Sequence, residues 1–318
     1  MPPRADTPRP PTFERDMKFQ GVLFFPVTPF AADGTLDGER LAQHIEAGVA
    51  LGAGGVFVAC GTGEFHALTP AEIGEATRIA VATTAGRVPV LAAAGGPVPV
   101  ALDQAARIRE AGADGILLLP PYLVTAPQRG LVRYAREVTS AARLPVIFYQ
   151  RGTARLTEAT AAEIASLPGV VGLKDGIGDL ERMHRIVRTI RGLPGGEDFA
   201  FFNGLPTAEM TAAAYQGVGV DLYSSAVFAF APEIATAFHR ALGEGDKALV
   251  TKLLDEFYGP LVELRDEVPG YAVALVKAGV TLRGLDVGGV RAPLLDPTPE
   301  HLARLAKLID HGLEAVRA

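Results

Sequence analysis

The chain has 318 residues, 48% of them hydrophobic and 36 of them glycine, enough for one large α/β barrel or two ordinary domains around a sizeable core. A formal charge of −6 excludes a broadly basic surface, so neither nucleic acid nor an anionic membrane is expected as a partner. No apolar run reaches the ~20 residues that span a bilayer, and the one cysteine, Cys60, excludes an internal disulfide framework and fits a reducing cytoplasm.

Residues 1–17, rich in Pro and Arg without the apolar centre of a secretory signal, read as a disordered tail. Residues 21–25 form a first short apolar strand that stops at Pro26. After the Asp33-Gly34 turn, Asp37 caps a helix running to about Leu51. The second strand, residues 55–59, leads into Cys60-Gly61-Thr62-Gly63-Glu64. Thr69-Pro70-Ala71-Glu72 is a capping box with proline at the first helical position, so a helix opens there. Strands follow at 88–93, 115–119 and 146–149, separated by helices over 100–111 and 130–142. Thr157 caps a short helix ahead of the sixth strand, which begins at Val170 and carries Lys174 at its far end. Strands seven and eight cover 199–202 and 221–223, ending at Asn203-Gly204 and Ser224-Ser225, with a helix over 208–217 between them. Eight short strands alternating with helical patterns predict a (β/α)8 TIM barrel over residues 18–228. Residues 229–318 show helical periodicity near 232–242, 247–264, 271–279 and 298–316, and read as a C-terminal helical region packed on the barrel.

In such barrels the active site is built at the C-terminal ends of the strands. Those positions hold Thr28, Thr62 with Glu64, Tyr149 with Arg151, Lys174, Asn203 and Ser224-Ser225. Lys174 admits two readings: a rim lysine paired with an acid, or a neutral amine that forms a Schiff base with a carbonyl. Asp175 is a poor partner for it, because successive strand side chains point to opposite faces. Tyr149 ends the neighbouring strand, and a phenol can move the protons that carbinolamine formation and dehydration require. Gly61-Thr62-Gly63 has the wrong spacing for a dinucleotide or triphosphate loop. Its glycines let backbone N–H groups turn together toward a carboxylate, with the Thr62 hydroxyl beside them. Arg151, a loop arginine, could clamp a second carboxylate bidentately. The histidines at 44, 66, 184, 239, 301 and 311 show no ligand spacing, so no metal site is expected.

Gly61-Thr62-Gly63-Glu64, Pro120-Pro121-Tyr122, Tyr149 and Gly172-Leu173-Lys174-Asp175 together resemble the dihydrodipicolinate synthase/N-acetylneuraminate lyase superfamily, over roughly residues 18–308. Within it, Gly204-Leu205-Pro206-Thr207-Ala208-Glu209, Tyr223-Ser224-Ser225-Ala226-Val227-Phe228 and Gly270-Tyr271-Ala272-Val273 resemble one branch, the 5-dehydro-4-deoxyglucarate dehydratases. The resemblance implies that Lys174 is the Schiff-base lysine, Tyr149 the proton shuttle, and the Gly61–Gly63 turn the cradle of the α-keto carboxylate. Gly204, Asn203, Arg151, Ser224 and Ser225 are the further substrate-binding candidates. Three departures separate the chain from the synthases. Gly61 stands where they have a first threonine, Leu123 stands where they have a second tyrosine, and Arg151 does not match their arginine position for position.

What the resemblance implies is a cytoplasmic lyase, a homo-oligomer (a tetramer), acting without a cofactor on a small keto-diacid. The expected reaction is the dehydration and decarboxylation of 5-dehydro-4-deoxy-D-glucarate to 2,5-dioxopentanoate. Two other readings stay open. One is another class I Schiff-base lyase, such as a 2-keto-3-deoxy-sugar-acid aldolase or a dihydrodipicolinate synthase. The other is a non-catalytic keto-acid sensor on the same scaffold.

Overall fold

The computed structural model describes residues 17, 19–122 and 124–317. Most of the expected tail, and Leu123, lie outside the described residues. The chain closes eight parallel strands into a barrel in sequence order. The strands are β1 (Val22–Phe24), β2 (Ala53–Val58), β3 (Val90–Ala94), β4 (Gly115–Leu118), β5 (Val146–Arg151), β6 (Val170–Gly176), β7 (Ala200–Asn203) and β8 (Leu222–Ser225). Their helices are α1 (Gly38–Ala50), α2 (Pro70–Thr84), α3 (Val98–Glu110), α4 (Gln128–Ala142), α5 (Glu158–Ala165), α6 (Leu180–Arg191), α7 (Ala212–Gly217) and α8 (Pro232–Glu244). Most of the strand residues are buried, as expected where the barrel interior covers one face and a helix the other.

Local chemistry sets the helix starts. The Thr69 hydroxyl accepts from the Glu72 amide while the Glu72 carboxylate accepts from the Thr69 amide, a closed capping box. Asp37 and Thr157 each accept from the first turn of the helix they precede. Helix α6 is not delimited by the sequence reading, yet its signals are present. Asp179 caps it, and Met183, Ile186, Val187 and Ile190 make one buried stripe.

Three expectations change in detail, and in the first the helix expected over 208–217 is a 3-10 turn (Ala208–Thr211) followed by α7. Strand β5 runs two residues past Tyr149, so Arg151 is the last strand residue, paired with Gly176, and not a loop residue. The helix expected over 247–264 is three segments: α9 (Lys247–Leu253), a π-helical turn (Leu254–Tyr258) and α10 (Gly259–Asp266). Pro260 explains the break, because it has no N–H to give the preceding turn and its ring crowds the carbonyl four residues back. Helices α11 (Tyr271–Leu282) and α12 (Pro299–Ala315) complete the chain.

Below the mouth, the barrel interior is filled with phenylalanine. Phe25 stacks on Phe57 with ring centroids 4.6 Å apart, and Phe19 contacts both Phe57 and Phe202 at 5.6 and 5.5 Å. These rings form the floor on which the lysine stands.

Candidate active site

Parallel register puts Tyr149 beside Lys174, and Lys174 beside Phe202, in one layer of the barrel. Alternation then divides the neighbours. Tyr149, Arg151 and Lys174 face the mouth, while Gln150 and Asp175 face outward and bond each other at 2.7 Å. Asp175 also accepts from the Tyr215 hydroxyl and from the Ile177 amide at 3.1 Å, so it pins the end of β6 and is no partner for Lys174.

Lys174 is 5% exposed, and its Nζ lies 4.1 Å from the Phe25 ring centroid and 4.9 Å from that of Tyr149. The aromatic faces favour an ammonium, but burial opposes it more strongly. Burial, assisted by the Arg151 charge, lowers the Lys174 amine to about 7. Of the two sequence readings, the geometry contains no acid for the first, because no carboxylate partners Lys174 among the described residues. Burial pushes the Cys60 thiol up to about 12, so it stays protonated.

Tyr149 is buried and its hydroxyl donates to the Gly204 carbonyl at 2.7 Å. Burial raises the pKa of its phenol above the usual value, and the Arg151 charge works the other way. Gly204 has to be glycine: a Cβ there would lie 2.5 Å from Lys174 Cε and 2.9 Å from the Tyr149 ring. Gly61 differs, since a Cβ would meet only Arg151 Nη1, at an ordinary 3.8 Å. A side chain at position 61 would therefore lie against the arginine and not against backbone. No carboxylate pairs with Arg151 among the described residues.

These groups open into a cavity of about 470 Å³, within the range of small-molecule sites. Seven of the sequence candidates line it: Gly61, Thr62, Tyr149, Arg151, Lys174, Gly204 and Ser224. Gly63, Asn203 and Ser225 do not, and each is held inside the protein. The Gly63 carbonyl accepts from Thr28 Oγ1 at 2.7 Å, and a Cβ at Gly63 would press on Pro26 and Ala59 at 3.1 Å. Asn203 ties its amide to the Ala208 carbonyl and Thr211 Oγ1, shaping the turn after β7. The Ser225 hydroxyl donates to Glu209 Oε1 at 2.5 Å. These three support the wall from behind.

Sequence reading misses part of the lining. The C-terminal helices supply Leu261, Arg265, Tyr271, Val273 and Val276, so the region read as packed on the barrel also forms one side of the cavity. The Gly270-Tyr271-Ala272-Val273 motif was the available signal for this, while nothing local distinguishes Arg265 from a solvated arginine. Among the described residues, no cluster of metal-ligating side chains occurs and no helix is long and apolar enough to cross a membrane.

A relative from Streptomyces coelicolor, named "Probable 5-dehydro-4-deoxyglucarate dehydratase 1", is 58% identical over 292 residues, which is 92% of each chain. A relative of the same enzyme name from Azotobacter vinelandii is 44% identical, over 91% of this chain and 94% of its own. Among solved structures, dihydrodipicolinate synthase from Bacillus clausii superposes with a TM-score of 0.83 at 25% identity, over 91% of this chain and 96% of that one. YagE, a prophage protein of E. coli K12 solved in complex with pyruvate, gives 0.81 at 26% identity, over 93% and 99%. The sequence profile of the dihydrodipicolinate synthetase family matches residues 18–312, the span that holds the barrel, the lysine and the helices closing over it. With that match and relatives at up to 58% identity over nine-tenths of its length, the chain belongs to the dihydrodipicolinate synthetase family.

Proposed function

We propose that the protein is a decarboxylating dehydratase that converts 5-dehydro-4-deoxy-D-glucarate to 2,5-dioxopentanoate, carbon dioxide and water through a Schiff base on Lys174. The observation that carries this reading is the unpaired Lys174 amine, lowered to about 7 and facing a cavity it shares with the Tyr149 phenol. The names of the relatives at 58% and 44% identity support the substrate.

The chemistry follows from what an iminium accepts. The Lys174 amine adds to the C5 carbonyl and water leaves, forming an iminium that acidifies the C4 protons. Loss of one C4 proton and departure of the C3 hydroxyl with a proton give a conjugated iminium. Electrons from the C1–C2 bond then move through that system to nitrogen as carbon dioxide leaves. Protonation on carbon, tautomerisation of the C2 enol to an aldehyde, and hydrolysis of the imine release the product and the amine. The lysine's own nitrogen is the electron sink, so the reaction needs no cofactor.

Tyr149, hydrogen-bonded to the Gly204 carbonyl, relays protons at the imine nitrogen. The Gly61–Thr62 turn receives the carboxylate next to the ketone, with Arg151 beside it. Ser224 faces the same cavity and reaches the substrate hydroxyls, whereas Gly63, Asn203 and Ser225 hold the wall. The working form is a homotetramer, as the family resemblance implies, which light scattering on the purified chain would test.

The test is incubation with 5-dehydro-4-deoxy-D-glucarate, measuring carbon dioxide and pyruvate, with borohydride trapping of the adduct. Carbon dioxide with a trapped adduct, both lost in Lys174→Ala, is the expected result. Pyruvate instead points to an aldolase. Binding without product points to a sensor.

A further inference from the structure

A keto-diacid carries a second carboxylate, remote from the ketone, and Arg151 lies at the Gly61 end of the cavity. We infer that Arg265 receives this remote carboxylate, taking it in place of Asp266. The assignment rests on the keto-diacid reading proposed above.

Arg265 lies near the end of α10 and lines the cavity at 17% exposure. Its Nη1 donates to the Pro206 carbonyl at 3.1 Å and to Thr207 Oγ1 at 3.0 Å, fixing one edge of the guanidinium. Those acceptors follow closely on Gly204, the residue packed against Lys174, so one short loop connects amine and guanidinium. The other edge, Nε and Nη2, holds both oxygens of Asp266 at 2.7 and 3.0 Å. That is the fork with which arginine recognises a carboxylate.

Asp266 is a weak holder of this fork. It is 61% exposed and adjacent in sequence, and an exposed ion pair of this kind contributes little net stability. A substrate carboxylate would meet the same two donors in a cavity whose lining also includes Leu261, Val273, Val276 and Leu294. The remote carboxylate is also the one that departs as carbon dioxide. Its charge is dispersed in that step, so the fork holds it more tightly in the ground state than in the transition state. Removing Arg265 should therefore raise KM without lowering kcat.

Two probes separate this from a structural role: 2-oxoadipate, with both carboxylates on a six-carbon chain, and 2-oxohexanoate, the same chain without the remote one. Neither carries the leaving hydroxyl, so neither is turned over, and calorimetry reads binding with a condensation at Lys174 that is common to both. The wild type should bind the diacid about 10- to 100-fold more tightly, the weight of a bidentate charged contact. Arg265→Gln should erase that preference. Asp266→Asn removes the competitor and should widen the preference by about threefold, the scale of an exposed ion pair. With the full substrate, Arg265→Gln should raise KM by a similar factor to its loss of preference and leave kcat unchanged or higher. The assignment is overturned if the wild type shows no preference, or if Arg265→Gln weakens both ligands equally through the Pro206–Thr207 loop. It is equally overturned if Asp266→Asn fails to widen the gap. Absence of carbon dioxide from the hydroxylated substrate would sink the proposed reaction, and these dissociation constants would still decide the role of Arg265.

Discussion

An ammonium on Lys174 would stand 4.1 Å from the Phe25 ring and 4.9 Å from the Tyr149 ring, with no carboxylate among the described residues to balance it. The amine is held near 7 by that surrounding, so the acid limb of kcat/KM should have its midpoint at about 7 and be level above it. Phe25→Asn puts a polar group on the floor and should move the midpoint upward; an unmoved midpoint would show that the limb belongs to another group. The same shift affects stability. The folded amine titrates at about 7 and the unfolded one at the ordinary 10.5, so between those values the unfolded chain binds more protons. Stability from this group therefore rises with pH across that window, and below it the full burial penalty remains. Lys174→Met should accordingly stabilise the protein at pH 7 by at least ~1 kcal/mol.

At the scale of elements, the cavity wall depends on how the loop after β7 is attached to the end of β8. Glu209 makes that attachment: its Oε1 accepts from the Ser225 hydroxyl, which in turn accepts from the Phe228 amide at 3.1 Å. Its other oxygen, Oε2, is buried without a partner, as are the Tyr223 and Tyr258 hydroxyls. Burial raises the Glu209 carboxyl to about 7, against the Ser225 hydrogen bond. Here the folded group holds its proton more tightly than the unfolded one, whose ordinary value is 4.5. Stability falls as pH rises from about 4.5 to 7, and the loss persists above that. Glu209→Gln keeps an acceptor for Ser225 and carries no charge. Its melting temperature should change less between pH 5 and pH 8 than that of the wild type, and should be the higher of the two at pH 8. Parallel profiles would mean that Glu209 does not titrate in this range.

Across the whole molecule, a buried ion pair joins the mouth of the barrel to the C-terminal helices. Lys277 Nζ, on α11, donates to Glu64 Oε1 at 2.7 Å, and the Arg291 amide donates to Glu64 Oε2 at 2.8 Å. The two side chains are 2% and 0% exposed. Burial pulls the Lys277 ammonium below its ordinary value and the Glu64 carboxylate opposes that pull. Glu64 directly follows the Gly61–Gly63 turn, and α11 lines the cavity, so the pair sets the distance between two walls of the site. Lys277→Met should destabilise by ~3–5 kcal/mol, because Glu64 is then buried without its partner. Adding Glu64→Gln to that variant should recover part of the loss. No recovery in chemical denaturation would assign the cost to packing around Phe30, whose ring centroid lies 3.9 Å from Lys277 Nζ.

Signals within a few residues of one another were legible in the chain itself. The alternation of apolar runs with capped helices, the Thr69–Glu72 box, and lysine and tyrosine at the ends of successive strands required only local periodicity and side-chain chemistry. Closing the barrel then brought Lys174, Tyr149, Gly61, Thr62 and Gly204 to one cavity. The tertiary structure decided everything that depends on separation through space. Local sequence does not say that Phe19, Phe25, Phe57 and Phe202 stack beneath the lysine, that Arg151 extends β5, or that Asn203 and Ser225 turn inward. Nor does it mark Arg265 as facing the cavity or Lys277 as the partner of Glu64, 213 residues away. Charged side chains look alike in sequence whether solvated or buried. Burial and a partner's distance separate them, and both are properties of the closed fold.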